Sequence, residues 1–382
     1  MAGKVGKALL SVTTNEYGDL LEICYNAMTP LFVNGGPGIG KSAIPRQRFS
    51  RIAREQHLQY VEWADLMTDE KKACIARPGD YFVLMDARTS QMDTTSIQGV
   101  PNMLNTEMLE NIPYSWVVYM TQKEANGAIF FDEINLAAPI VQAITYSAIH
   151  DRVISDRRMG NNVYIFAAGN RQQDRAHTFD MPLPLRDRFA EVEVTHHVEQ
   201  WIDWARIAKI NPHLIAFIDW KPQRLYKIDI DVNDKPSTPR GLERASKLIG
   251  DRKINSDKVH QLVSISAGAA FATEFQAYTE CYSKLNWPVL LKNPKSVRDL
   301  TLGAQYAVSA GCSEQFLRDK KNHKQTEQLL FLAEAMRQDF TINTFRMMRD
   351  ADKSAFTASL QKLNKGKDFA SKYGKFIMDI SQ

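Results

Sequence analysis

Cysteine is scarce and unpatterned in this chain. Cys24, Cys74, Cys281 and Cys312 fall nowhere in a C-x-x-C spacing, so neither a zinc framework nor a disulfide scaffold is encoded. Reduced thiols in a cytoplasmic compartment are the expectation. No stretch approaches the ~20 apolar residues of a membrane span. The first ten residues carry charge but no apolar core adequate for a signal peptide. No segment repeats at a fixed period. The excess of basic over acidic residues is only +4, too little to argue by itself for a nucleic-acid partner. His196-His197 suggests a metal pair, but no acid or cysteine completes it, and a strand-end pair is the better reading.

What is present is length and alternation. A chain of 382 residues holds about two or three domains and a sizeable core. Strand-length apolar runs at Leu31-Phe32-Val33, Tyr81–Asp86, Gly127–Phe131 and Val163–Ala168 are separated by helix-like runs at Ser42–Gln56 and Ile140–His150. Pro45 fits the first turn of its helix, and Pro139 fits a helix start. Residues 88–126 hold several turn formers and are too long for a plain connection, which suggests loops with a function. Met159-Gly160-Asn161-Asn162, between Arg152-Val153-Ile154 and Val163-Tyr164-Ile165, predicts a hairpin turn. Glu191–Val194 alternates like a short strand, and helices dominate from Glu199 onward. The expectation is an α/β domain over residues 1–198 and a helical one over 199–382. Trp201, Trp204 and Trp220 read as helical core rather than a base-stacking platform. The lysine-rich residues 353–375 read as a solvated helix face.

The chemistry concentrates at Gly35-Gly36-Pro37-Gly38-Ile39-Gly40-Lys41-Ser42-Ala43, between the first of these strands and its helix. The spacing G-x-x-x-x-G-K-S is a phosphate loop, or Walker A motif. Glycines let successive N–H groups turn inward toward phosphate oxygens, and the following helix adds its positive dipole end. Lys41 reaches the β- and γ-phosphates of ATP, and Ser42 offers a hydroxyl to Mg2+. Such a loop needs a carboxylate for the metal from a second strand, and Gly127–Phe131 ends in Asp132-Glu133. Asp132 suits the metal and Glu133 suits polarisation of an attacking water. Asn170 ends another strand, at the edge where open α/β sheets bind ligands. There it could orient that water; a plain turn asparagine after Gly169 is the rival reading.

Taken in order, the Walker A motif, Asp132-Glu133-Ile134-Asn135, Ala168-Gly169-Asn170, Leu185-Arg186-Asp187-Arg188-Phe189 and Ser237-Thr238-Pro239-Arg240 resemble AAA+ ATPases, and within them the MoxR-like group. Ile97–Pro101 and the segment after Val153-Ile154 are also similar to segments of that group, and the resemblance covers about residues 25–280. It implies a parallel sheet in 5-1-4-3-2 order, a C-terminal α-helical lid, and a ring, usually a hexamer, with ATP at each subunit junction. It implies that Asn170 is sensor 1, that Arg188 or Arg186 is an arginine finger on a neighbour's γ-phosphate, and that Arg240 is sensor 2. An arginine suits the finger role because it is always charged and presents a rigid donor fork. The same resemblance puts an insert at Ser96–Tyr114 and a hairpin at Asp151–Asn162, facing a pore or partner. Arg152, Arg157 and Arg158 make that hairpin basic, in the manner of ordinary solvated turn charge. One departure is Leu136, where the group commonly has arginine.

The function implied is a Mg2+-dependent ATPase that remodels or assembles protein partners, among them a protein with a von Willebrand A domain. Two alternatives belong to other classes. One is a ring motor on DNA or RNA, which the basic hairpin permits but no recognised module supports. The other is a nucleotide-gated scaffold, against which the full set Glu133, Asn170 and Arg188 argues.

Overall fold

The structure is a computed structural model, and it describes residues 9–104, 110–171, 179, 181–228, 234–362, 369 and 371–373. Two compact units divide the chain, Met1–His196 and His197–Gln382.

The strands of the first unit are β1 (Leu10–Val12), β2 (Leu31–Gly35), β3 (Gln59–Glu62), β4 (Tyr81–Arg88), β5 (Val100–Pro101), β6 (Asn111–Ile112), β7 (Asn126–Asp132), β8 (Val153–Ile154), β9 (Arg157–Arg158), β10 (Asn162–Gly169) and β11 (Ala190–Val194). Its helices are α1 (Thr14–Asn26), α2 (Ala43–Glu55), α3 (Thr68–Ala76), α4 (Thr94–Gln98), α5 (Ser115–Met120), α6 (Pro139–His150) and α7 (Leu183–Arg186). Seven strands form one parallel sheet in the order β1-β11-β2-β10-β7-β4-β3. Its five inner strands, β11-β2-β10-β7-β4, are the 5-1-4-3-2 arrangement of a P-loop core. Strands buried on both faces read as unbroken apolar runs, as Gly127–Phe131 and Val163–Ala168 do. Phe130 and Phe166 stack at 4.5 Å between ring centroids on the face covered by Phe49 of α2.

Two edge strands, β1 and β3, were not foreseen. Only Val12 of β1 is buried, and β3, Gln-Tyr-Val-Glu, has no fully buried residue. Neither carries an apolar pattern of its own; each is held by pairing with its neighbour, β11 and β4 respectively. The hairpin is a second correction. Val153-Ile154 pairs with Arg157-Arg158, so the turn is Ser155-Asp156, and β10 leaves to join the main sheet. Ser155 takes the left-handed φ of 60° there. Gly160 answers a different need: a Cβ on it would lie 2.4 Å from the carbonyl oxygen of Gln122. Residues 105–109, within the anticipated insert, lie outside the described residues; on either side β5 pairs with β6.

The second unit is helical: α8 (Val198–Ile207), α9 (Pro212–Trp220), α10 (Pro239–Ile249), α11 (Asp257–Ala267), α12 (Ala269–Ser283), α13 (Trp287–Lys292), α14 (Leu302–Arg318), α15 (His323–Ala335), α16 (Gln338–Ala351) and α17 (Lys353–Lys362). Trp201 is buried in its core, and Trp204 and Trp220 pack against that core, which fits the structural reading of these aromatics. Of the lysine-rich residues 353–375, those at 363–368, 370, 374 and 375 lie outside the described residues. No helix among the described residues is long and apolar enough to cross a membrane.

Candidate nucleotide-binding site

The phosphate loop leaves the carboxyl end of β2 and enters α2. Gly38 and Gly40 have φ of 75° and 101°, a region that L side chains rarely enter, and this curls the loop. Ile39 is buried, and a Cβ on Gly35 would strike its Cδ1 at 2.6 Å, so the loop is packed from inside. From α1, the buried Tyr17 donates its hydroxyl to the Lys41 carbonyl at 3.1 Å.

Three motifs that lie far apart in the sequence meet at this loop. Lys41 is buried, and its Nζ donates to the carbonyls of Gly35 (2.5 Å) and Gly36 (3.1 Å) and to Asn170 Oδ1 (2.8 Å). Ser42 Oγ donates to Asp132 Oδ2 at 3.1 Å. Asp132 Oδ1 accepts the Glu133 N–H at 2.9 Å, and its carbonyl accepts Thr89 Oγ1 at 2.8 Å. Glu133 has a left-handed backbone, φ 58° and ψ 33°, which turns the chain sharply off β7. Its Oε2 accepts a 2.5 Å hydrogen bond from Ser90 Oγ. Strand order explains the meeting, since β2, β10 and β7 are neighbours and all three run in one direction.

The carboxylates around the loop are unequally compensated. Burial, and then the charge of Asp86, hold the Asp132 carboxyl above its usual range; the Ser42 hydrogen bond pulls the other way. Asp86, on the adjacent strand β4, accepts from Arg46 Nη2 on its Oδ2 at 2.7 Å, while its buried Oδ1 has no hydrogen-bond partner among the described residues. Arg46 also binds Glu62 at 2.9 Å and the Ser42 carbonyl at 3.0 Å, tying α2 to β3 and β4. An orphaned buried carboxylate oxygen near a second carboxylate of raised pKa is relieved by a positive ion. One hydroxyl and one carboxylate, Ser42 and Asp132, fit the one or two protein ligands that Mg2+ takes, with water and phosphate oxygens filling the rest.

The two arginines of the 185–189 segment sit elsewhere. Ala190 pairs with Leu31 at the start of β2, whereas Val194 pairs with Gly35 at its end. Arg186 and Arg188, both exposed, are therefore at the amino edge of the sheet, about 16 Å of strand from the phosphate loop. Arg186 is clamped to Glu191, and Arg188 Nη2 lies 3.5 Å from His150 Nε2 at the end of α6. Arg240 belongs to the helical unit, exposed at the second residue of α10, whose N-cap Thr238 accepts the Gly241 N–H at 3.1 Å. Leu136 is half-buried in the one-turn helix Ile134–Leu136.

Sequence reasoning missed Tyr17, Arg46, Asp86 and Ser90, and gave Asn135 no role. Only Asn135 carried a signal, by its place beside Asp132-Glu133; the others are brought in by the folding of α1, α2 and β4.

No protein-family model matches the chain, and no curated protein sequence matches it. Among solved structures the chain is similar to NtrX from Brucella abortus in complex with ADP, at 12% identity over 98% of this chain and 70% of that one, with a TM-score of 0.35. It is also similar to a RuvB mutant of Thermotoga maritima, at 16% identity over 66% of this chain and 68% of that one, with a TM-score of 0.34. Both likenesses are shallow, and the fold assignment rests on the strand order.

Proposed function

We propose that this chain is a Mg2+-dependent ATP hydrolase of the AAA+ type, of the MoxR-like group, which works as a ring of identical subunits on protein partners. The observation that carries the reading is the convergence of Lys41 with Asn170 and of Ser42 with Asp132 on one glycine-rich loop. ATP phosphates lie along the loop N–H groups from Gly36 to Ala43, with Lys41 at the β- and γ-phosphates. Ser42 and Asp132 would hold Mg2+, which would supply charge neutralisation for the phosphate oxygens. Glu133 takes the proton of the attacking water, and Asn170 orients that water. Arg188 completes the site of a neighbouring subunit, since it sits at the sheet edge opposite its own loop. Arg240 is the sensor 2 arginine. A von Willebrand A domain protein is the partner class that the resemblance favours.

The test is a pair of variants. Lys41→Ala should lose both ATP binding and turnover. Glu133→Gln should keep ATP binding, lose turnover by about 100-fold or more, and accumulate as an ATP-bound ring in sizing experiments. A Glu133→Gln protein that still turns over ATP at the parental rate would sink the reading.

A further inference from the structure

The amide of Asn135 is bonded to the backbone of a single residue from both sides. Its Nδ2 donates to the carbonyl oxygen of Asn170 at 2.6 Å, and its Oδ1 accepts the N–H of Asn170 at 3.0 Å. Holding both the N–H and the C=O of one residue restrains rotation on each side of its Cα, and so fixes the direction in which its side chain leaves. That side chain ends in the Oδ1 that accepts from Lys41 Nζ at 2.8 Å.

The surroundings keep this amide in place. Ile134 beside it is fully buried, and the carbonyl of Asn135 accepts the N–H of Phe179 at 2.7 Å. Gly169 leaves room for the amide, since a Cβ there would lie 2.8 Å from Asn135 Oδ1. A plain strand-end turn would need none of this, because water could serve the two backbone groups of Asn170 equally well.

We infer that Asn135 is a positioning residue for the ATPase site: it sets the aim of Asn170 from the same turn that carries Glu133. The two groups that handle the attacking water are thereby indexed to one rigid turn, although they come from different strands. This inference rests on the ATPase reading above. A displacement of about 1 Å at such a group can cost on the order of 100-fold in rate.

The test compares wild type, Asn135→Ala, Asn170→Ala and the double variant by kcat, KM and affinity for a fluorescent ADP analogue. Asn135→Ala should lower kcat by about 10- to 100-fold while nucleotide affinity changes by less than about threefold. The double variant should be no slower than Asn170→Ala alone, because both substitutions remove one arrangement. Asn135→Asp keeps the acceptor and loses the donor, so it should fall between wild type and Asn135→Ala. Multiplying effects in the double variant, or a loss confined to affinity, would overturn the inference. Hydrogen–deuterium exchange at the carboxyl end of β10 gives a readout independent of turnover. The Asn170 amide should exchange faster in Asn135→Ala, and unchanged exchange overturns the positioning claim even if wild type proves to hydrolyse no ATP, which would be a failure of the ATPase reading instead.

Discussion

Arg186 and Glu191 form a two-point clamp. Arg186 Nε donates to Glu191 Oε1 at 2.8 Å, and its Nη2 donates to Oε2 at 2.8 Å, the fork-to-fork geometry that suits a guanidinium and a carboxylate. This pair separates two arginines that the sequence offered as alternatives, Arg188 ahead of Arg186. Arg186 is engaged within its own chain. Arg188 has a 3.5 Å approach to His150 and lies exposed at the amino edge of the sheet. Arg188→Ala should therefore abolish ATP turnover with little change in Tm. Arg186→Ala should cost at most about 1 kcal/mol of stability, as exposed pairs do, and leave turnover largely intact. Mixing Arg188→Ala with Lys41→Ala subunits should restore part of the activity, because each mixed junction can combine an intact loop with an intact finger. No rescue in verified mixed assemblies would remove Arg188 from the finger role.

The proposed metal site carries a cost in stability that a neutral isostere should expose. Asp132 has its carboxyl pKa raised, mainly by burial and then by Asp86, so its charged form is disfavoured in the fold at neutral pH. Asp132→Asn keeps the shape, retains an oxygen for the Ser42 hydroxyl and removes one of two neighbouring charges. Its Tm without nucleotide should rise above wild type, while the further rise on adding Mg2+ and ATP should shrink. Ser42→Ala should raise the Mg2+ concentration needed for half-maximal turnover. If Asp132→Asn gains as much from Mg2+ and ATP as wild type does, Asp132 is not a metal ligand.

The candidate site was legible where a motif is local and illegible where it is assembled. Gly35–Ser42, Asp132-Glu133 and Asn170 each carry a signal within a few residues, because loop geometry and strand ends leave composition marks. Arg46, Asp86 and Ser90 carry none. Arg46 meets Glu62 and Asp86 only because β3 and β4 lie side by side under α2, a relation of strand order rather than of spacing. The edge strands β1 and β3 were unreadable for a similar reason: a strand held mainly by backbone pairing needs no apolar alternation. The Met159–Asn162 pattern predicts a turn, whereas the place of Gly160 against Gln122 demands the absence of a side chain.

That distinction can be measured. Gly160→Ala puts a Cβ 2.4 Å from the Gln122 carbonyl oxygen, a backbone atom that cannot swing aside, so overpacking should cost about 1–3 kcal/mol. Gly79→Ala is the control. Its Cβ would meet nothing nearer than Glu124 Oε2 at 3.9 Å, and the change should be neutral or slightly stabilising through the unfolded chain. Denaturant unfolding of the two variants beside wild type decides the point. Equal midpoints would mean that the Met159–Asn162 segment tolerates a side chain as an ordinary turn would.

The helical unit holds the clearest pH dependence. Glu314 accepts from Tyr282 Oη at 2.6 Å and lies 3.1 Å from His213 Nε2, and it also pairs with Arg318. The His213 hydrogen bond comes first among the causes that bring its carboxyl from 4.5 down to about 2, and burial opposes it. A carboxyl depressed in the folded state stabilises the fold fully above its unfolded value, near 4.5. That contribution fades as pH falls through the window from about 4.5 to about 2, where the folded form at last takes up the proton. Glu314→Gln cannot titrate, so its Tm should sit below wild type at neutral pH and converge on it as the pH is lowered through 4.5 toward 3. Tyr282→Phe removes one of the hydrogen bonds that lower the pKa, and it should move the wild-type acid limb to higher pH without abolishing it. Profiles of Tm against pH that stay parallel for wild type and Glu314→Gln would show that this buried network stabilises the unit by packing alone.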